Sequence, residues 1–124
     1  MAERILIVDD DPLLCSLLHI ALSRAGYQAV EVYAGDKALE YLAQQPVDLI
    51  LLDVMMADIN GFDVLRRLKA DPDLSLIPVI LLTARVDAIS QKTGLDIGAV
   101  EYLTKPITPD LLIERIQMVL AAQS

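Results

Sequence analysis

The sequence predicts an α/β domain: a doubly wound, five-stranded parallel sheet carrying five helices. Three observations predict it. Short apolar runs such as Ile5-Leu6-Ile7-Val8, Leu49-Ile50-Leu51-Leu52 and Val79-Ile80-Leu81-Leu82 recur along the chain. Runs this short and this uniformly apolar fit strands buried on both faces of a parallel sheet. Strand-like and helix-like segments alternate throughout, the order that a parallel sheet with crossover helices requires. At roughly five residues per strand, 11–12 per helix and about four per loop, five such pairs use up the 124 residues.

The first strand is predicted over Arg4–Val8, β-branched and almost wholly apolar. Asp11-Pro12 then reads as a helix start, with Asp as cap and Pro in the first turn. That helix runs to about Ala25 with Leu14, Leu18, Ala21 and Leu22 on one stripe, and Gly26 stops it. A short strand over Gln28–Val32 follows, then a helix from Gly35 to about Gln45 closed by Pro46. The central strand is Asp48–Leu52. Asn60-Gly61 is a turn signal before a helix over Phe62–Ala70, broken by Asp71-Pro72-Asp73. Pro78–Leu82 is the fourth strand. A weakly patterned helix spans about Asp87 to Ile97, and Ala99–Leu103 is the fifth strand. Thr108-Pro109 repeats the cap-and-proline start for a last helix to about Ala122.

Composition narrows the function. At 55% hydrophobic residues the chain has enough apolar material for a core, so residues 1–124 are expected to form one domain. No apolar run approaches the ~18 residues of a membrane span. The N-terminus lacks the long apolar region of a signal peptide, which points to a cytoplasmic protein. A net charge of −8 argues against direct nucleic acid binding. Cys15 is the only cysteine, so no internal disulfide or multi-cysteine zinc site can form, and its helical position reads as core. His19, the only histidine, lies mid-helix beside the core stripe, and a packing or surface role fits it better than a phosphoryl relay.

The polar residues at strand ends form a set. Asp9 and Asp10 follow the first strand, Asp53 the third, Thr83 the fourth and Lys105 the fifth. Open α/β sheets bind ligands at the carboxyl ends of their strands, so the fold gathers these residues at one edge. Two carboxylates about 4 Å apart repel by on the order of 4 kcal/mol at an effective dielectric near 20. A divalent cation offsets that directly, and Mg²⁺ prefers oxygen ligands while sharing phosphate oxygens. Lys105 and Thr83 can hold a phosphoryl oxygen, which leaves Asp53 as a carboxylate nucleophile.

These residues carry a resemblance. Ile5 to Pro12, Asp48 to Met56, Thr83-Ala84-Arg85 and Tyr102 to Pro106 resemble the receiver domain of two-component response regulators, chemotaxis regulators included. The resemblance implies a flavodoxin-like fold with strand order 2-1-3-4-5. It implies that Asp53 accepts a phosphoryl group, that Asp10 ligates Mg²⁺ directly and Asp9 through water, and that the Met55 carbonyl is a further ligand. It casts Lys105 as the phosphoryl-binding lysine with a cis bond to Pro106, Thr83 as the switch hydroxyl, and Tyr102 as the aromatic that moves inward on activation.

The partners it implies are a sensor histidine kinase or phosphotransfer protein upstream and an effector protein or fused output domain downstream. The chain would be a monomer or a phosphorylation-dependent dimer. The pattern departs at Ala57, where the family usually has proline, and at Val100, often acidic in receivers that pair through charges on the fourth helix, fifth strand and fifth helix. The first helix also has a second apolar stripe, Leu13, Leu17 and Ile20. Part of it, with Ile107, is a candidate kinase-docking face, as an exposed apolar patch often is.

Two other classes share parts of this pattern. A Mg²⁺-dependent phosphatase with an aspartyl nucleophile needs a second acid two residues on, where this chain has Met55. A flavin binder needs phosphate donors after the first strand, where Asp9 and Asp10 would repel the ligand.

Overall fold

The computed structural model describes residues 2–123. Five strands alternate with five helices in the order β1 (Arg4–Val8), α1 (Pro12–Arg24), β2 (Gln28–Val32), α2 (Gly35–Leu42), β3 (Leu49–Leu52), α3 (Gly61–Ala70), β4 (Val79–Thr83), α4 (Ala88–Ile97), β5 (Glu101–Thr104) and α5 (Pro109–Ala122). All pairings are parallel, in the order β2-β1-β3-β4-β5. Leu52 pairs with both Val8 and Leu81, so β1 and β3 finish level, and β4 and β5 run two residues further to Thr83 and Thr104 on the same edge.

The strand period of two divides the core between the faces of the sheet. Ile5, Ile7, Leu49, Leu51, Ile80 and Leu82 pack with Leu18 and Leu22 of α1 and Leu112 and Ile116 of α5. Leu6, Val8, Ile50, Leu52 and Leu81 pack on the other face with α2, α3 and part of α4. Full burial of one such side chain contributes roughly 1.5–3 kcal/mol. β1, β3 and β4 are buried on both faces, whereas β2 and β5, the edge strands, are only partly covered.

Local chemistry explains most boundaries. Asp11 caps α1 by accepting the Leu13 and Leu14 amides, and Gly26 past its end has φ +95°. Thr108 caps α5 through the Leu111 amide. The helix expected to run to Gln45 ends at Leu42, because the next turn tightens and the Gln44 and Gln45 amides both reach the Tyr41 carbonyl. The fifth strand starts two residues later than expected. The Ala99 amide is taken by the Gly94 carbonyl, which closes α4 through Gly98 at φ +134°. The weak pattern of α4 has a simple cause: its fully buried residues are Ser90 and Gly94. Gly94 is needed there, since a β-carbon would stand 2.5 Å from Leu81 Cδ1 and 3.2 Å from Tyr102 Cδ2.

Gly61 joins the fold to the strand edge. A β-carbon there would collide with the Asp53 carbonyl and lie 2.6 Å from Val54 Cα, both backbone atoms that cannot swing away. Overpacking of this kind costs about 1–3 kcal/mol. Gly61→Ala is therefore expected to lower the unfolding free energy by that amount in a denaturant titration. A variant as stable as the parent would rule out this close approach.

Candidate functional site

The sheet ladder extends one residue past three strand ends and thereby fixes the site. The Asp9 amide donates to Val32 O at 3.2 Å, the Asp53 amide to Val8 O at 3.0 Å, and the Lys105 amide to Thr83 O at 2.9 Å. The side chains of Asp9, Asp53 and Lys105 thus leave a backbone that is already hydrogen-bonded. Asp9 and Asp53 are buried, Asp10 is exposed, and each of the three offers a carboxylate oxygen within 4.8 Å of the others.

One cation opposes this charge. Lys105 Nζ donates to Asp9 Oδ2 at 2.6 Å and to Asp53 Oδ2 at 3.3 Å. Burial pushes the Asp9 carboxyl above its ordinary range, even though Lys105 and the Asp11 amide favour the charged form. Burial lowers Lys105, but Asp9 and Asp53 outweigh it and hold the ammonium above the usual lysine value. Backbone donors complete the carboxylates. The Asp11 amide reaches Asp9 Oδ1 at 3.0 Å, the Met55 amide Asp53 Oδ1 at 3.2 Å, and the Ala57 amide Asp10 Oδ2 at 3.0 Å. Three carboxylates within one ion's reach make an all-oxygen donor set, which suits a hard divalent cation.

Thr83 ends β4 fully buried, and its Oγ1 accepts the Arg85 amide at 3.3 Å. The Tyr102 hydroxyl donates to the Arg85 carbonyl at 2.7 Å. One residue of the β4–α4 loop therefore joins the two side chains that the resemblance casts as switch partners. Sequence reasoning missed this role of Arg85, and no signal existed for it, because only the backbone takes part. The Lys105–Pro106 peptide is cis.

Other candidates find plain surroundings. Cys15 donates its thiol to the Asp9 carbonyl at 3.4 Å, and burial pushes it up to about 12, so it is not a nucleophile. His19 Nδ1 lies 2.7 Å from Glu31 Oε2, whose other oxygen accepts the Tyr33 hydroxyl at 2.9 Å; the ring bridges α1 to β2, away from the acids. Leu17 and Ile20 of the second α1 stripe do line a surface groove of about 690 Å³ with Ile107 and Ile113, while Leu13 stands outside it at 71% exposure. Among the described residues no helix is long and apolar enough to cross a membrane.

Known proteins share this arrangement of chain and fold. A family model for the response regulator receiver domain matches residues 5–117. The DNA-binding response regulator MtrA of Mycolicibacterium smegmatis is 40% identical over 117 residues, which cover 94% of this chain and 50% of that protein. The response regulator GtcR of Aneurinibacillus migulanus is 38% identical over 117 residues, 94% of this chain and 47% of its own. The chain spans about half the length of the curated relatives it matches. Among solved structures, the signal receiver domain of a signal transduction histidine kinase from Syntrophus aciditrophicus superposes with a TM-score of 0.91 at 37% identity, covering 98% of this chain and 92% of that one. Matched along nearly its whole length in both sequence and fold, the chain belongs to the receiver-domain family of two-component response regulators, the phosphorylation-activated switches of that signalling system.

Proposed function

We propose that Asp53 is the phosphoryl acceptor of this receiver and that the other strand-end residues serve it. The observation that carries this is the contact of one ammonium, Lys105, with both Asp9 and Asp53 beside a third carboxylate. An Asp53 oxygen attacks phosphorus, the phosphorus–nitrogen bond of a donor phosphohistidine breaks, and the imidazole leaves. Lys105 then exchanges a carboxylate for a phosphoryl oxygen. Mg²⁺, held by Asp9, Asp10, Asp53 and the Met55 carbonyl, would supply charge neutralisation for the transferring group. Residues 1–124 act as one receiver domain. Its chemistry is confined to its own phosphorylation and the later loss of that group.

The switch follows from the Arg85 contacts. A phosphoryl group brings roughly −1.5 to −2 charge, by analogy with phosphoserine. Thr83 turns to donate to it and gives up the Arg85 amide. Tyr102 holds the carbonyl of the same residue, so the loop and the Tyr102 ring respond together. The surface of α4, β5 and α5 changes in consequence.

The partners are a sensor histidine kinase or phosphotransfer protein and, downstream, an effector protein or fused output domain. MtrA is named for DNA binding, but a net charge of −8 makes this domain a poor ligand for nucleic acid. Any such contact belongs to a fused output domain. The setting is cytoplasmic, and the chain is a monomer that can pair on phosphorylation. The phosphodonor docks in the apolar groove between α1 and α5.

Three outcomes follow. Asp53→Asn should reduce acid-labile phosphate incorporation from a small phosphodonor with Mg²⁺ to background; unchanged labelling would sink the assignment. Thr83→Ala should still be labelled, yet its amide spectrum around Tyr102 should no longer move with phosphorylation. A normal shift in that variant would refute the coupling. Ile20→Lys should slow transfer from a phosphohistidine protein by about tenfold, the equivalent of ~1.4 kcal/mol, and leave labelling by the small donor unchanged. Equal transfer rates in parent and variant would move the docking site elsewhere.

A further inference from the structure

The groove between α1 and α5 has an apolar floor and a charged rim. Leu17 and Ile20 enter it from α1 at 57% and 50% exposure, and Ile107 and Ile113 line it from the α5 side. Three charged residues line it as well: Arg24, Asp110 and Glu114, all exposed. Asp110, Glu114 and Gln117 stand at i, i+4 and i+7 on α5, one above the next on a single helix face. Arg24 is the last residue of α1.

The fold gives this pattern a direction. Helices that connect parallel strands run back from the carboxyl edge of the sheet, so α1 and α5 both start beside the acids. Asp110 lies in the first turn of α5, near that edge. Arg24 closes the 13 residues of α1, about 18 Å down the helix at a rise of 1.5 Å per residue. One end of the groove is therefore acidic and next to the site, and the other is basic and remote from it. These charges have no counterpart within the chain. Elsewhere on the surface Lys37 pairs with Glu40, Arg66 with Asp63, Lys92 with Asp96 and Arg115 with Glu101. Among the described residues, none of Arg24, Asp110 and Glu114 has an ion-pair partner. Helix dipoles account for an acid in a first turn, Asp110, and a base in a last turn, Arg24. They do not account for Glu114, one turn further along α5.

We propose that the groove takes an amphipathic helix of the phosphodonor whose apolar stripe is flanked by Lys or Arg facing Asp110 and Glu114, with an acid at its far end facing Arg24. The inference rests on the groove being the docking site, and adds the chemistry and direction of what docks there. An amphipathic helix fills such a groove with apolar residues at i, i+3, i+4 and i+7. Its flanking charges then select among helices that share that stripe. Opposite charges across the rim speed encounter and fix register, and like charges facing each other exclude the wrong partner. The phosphohistidine belongs near the cationic end of the helix, because Asp110 marks the end of the groove beside the acids.

Titration of the whole chain with two helix-stapled peptides tests this, with groove occupancy followed by the amide resonances of Leu17, Ile20 and Ile113. Both peptides carry the same Leu/Ile stripe. The first has Lys along its flank and a terminal Glu, and the second has the signs exchanged. The first should bind tighter by about tenfold or more. Asp110→Asn/Glu114→Gln should erase that preference without setting a cation at the start of α5, and Asp110→Lys/Glu114→Lys should reverse it. Glu40→Lys/Asp73→Lys changes the net charge as much as the latter pair but lies on α2 and the α3–β4 loop, and should leave the preference intact. A nitroxide on the Glu end of the first peptide should broaden the Arg24 amide more than the Ile107 amide. Equal affinity for the two peptides, loss of the preference in Glu40→Lys/Asp73→Lys, or stronger broadening of Ile107 by that label would overturn the inference while the groove stands as the docking site. Groove resonances that move with neither peptide would overturn both.

Discussion

The site depends on holding like charges together. Asp9 and Asp53 lie in a poorly solvated edge with Asp10 beside them, and their mutual repulsion works against the fold. Lys105 supplies the opposing charge, and the backbone amides of Asp11, Met55 and Ala57 each donate a directed hydrogen bond to one oxygen of an acid. Such an arrangement stands on rigid supports. Those are the ladder bonds that run one residue past β1, β3 and β5, in a sheet whose central strands are buried on both faces.

The same edge contains a less tightly packed part. The β4–α4 loop is exposed from Ala84 to Asp87, and it is tied to the strands through the Arg85 amide on Thr83 and the Arg85 carbonyl under Tyr102. Helix α4 rests on Ser90 and Gly94, small residues that bury little apolar area. An element held by so few apolar contacts belongs to the less stable part of a structure. The acids Asp9, Asp10 and Asp53 and the side chains of Thr83 and Tyr102 therefore share one platform but differ in what restrains them.

The two faces of the sheet are also put to different use. On one, α1 and α5 leave an apolar groove between them, lined by Leu17, Ile20 and Ile107. On the other, α2 and α3 are joined to the site loop by Asp58 and Gly61. The groove and the loop contacts thus fall on opposite faces of the sheet.

The fold class was legible because short apolar runs, caps and prolines carry local signals that agree with one another. The central strand, the Asp11 and Thr108 caps and the acids at strand ends all lie where nearest-neighbour chemistry puts them. The two boundary errors of more than one residue, at the end of α2 and the start of β5, arose where a turn carbonyl competed for amides that the pattern assigned to regular structure. The site was legible as a set of residue types, since a parallel sheet brings every strand's carboxyl end to one edge. The orientation of that set was not. Asp58 reads as one more exposed acid in the sequence, yet it caps a helix 22 residues upstream in the chain. Ala57 has no side-chain polarity, yet its amide donates to Asp10, 47 residues away in the chain. The sequence by itself determined which groups meet, through strand order and spacing. Tertiary structure alone decided how they point, because hydrogen bonds between distant backbone and side-chain atoms leave no periodic trace in the chain.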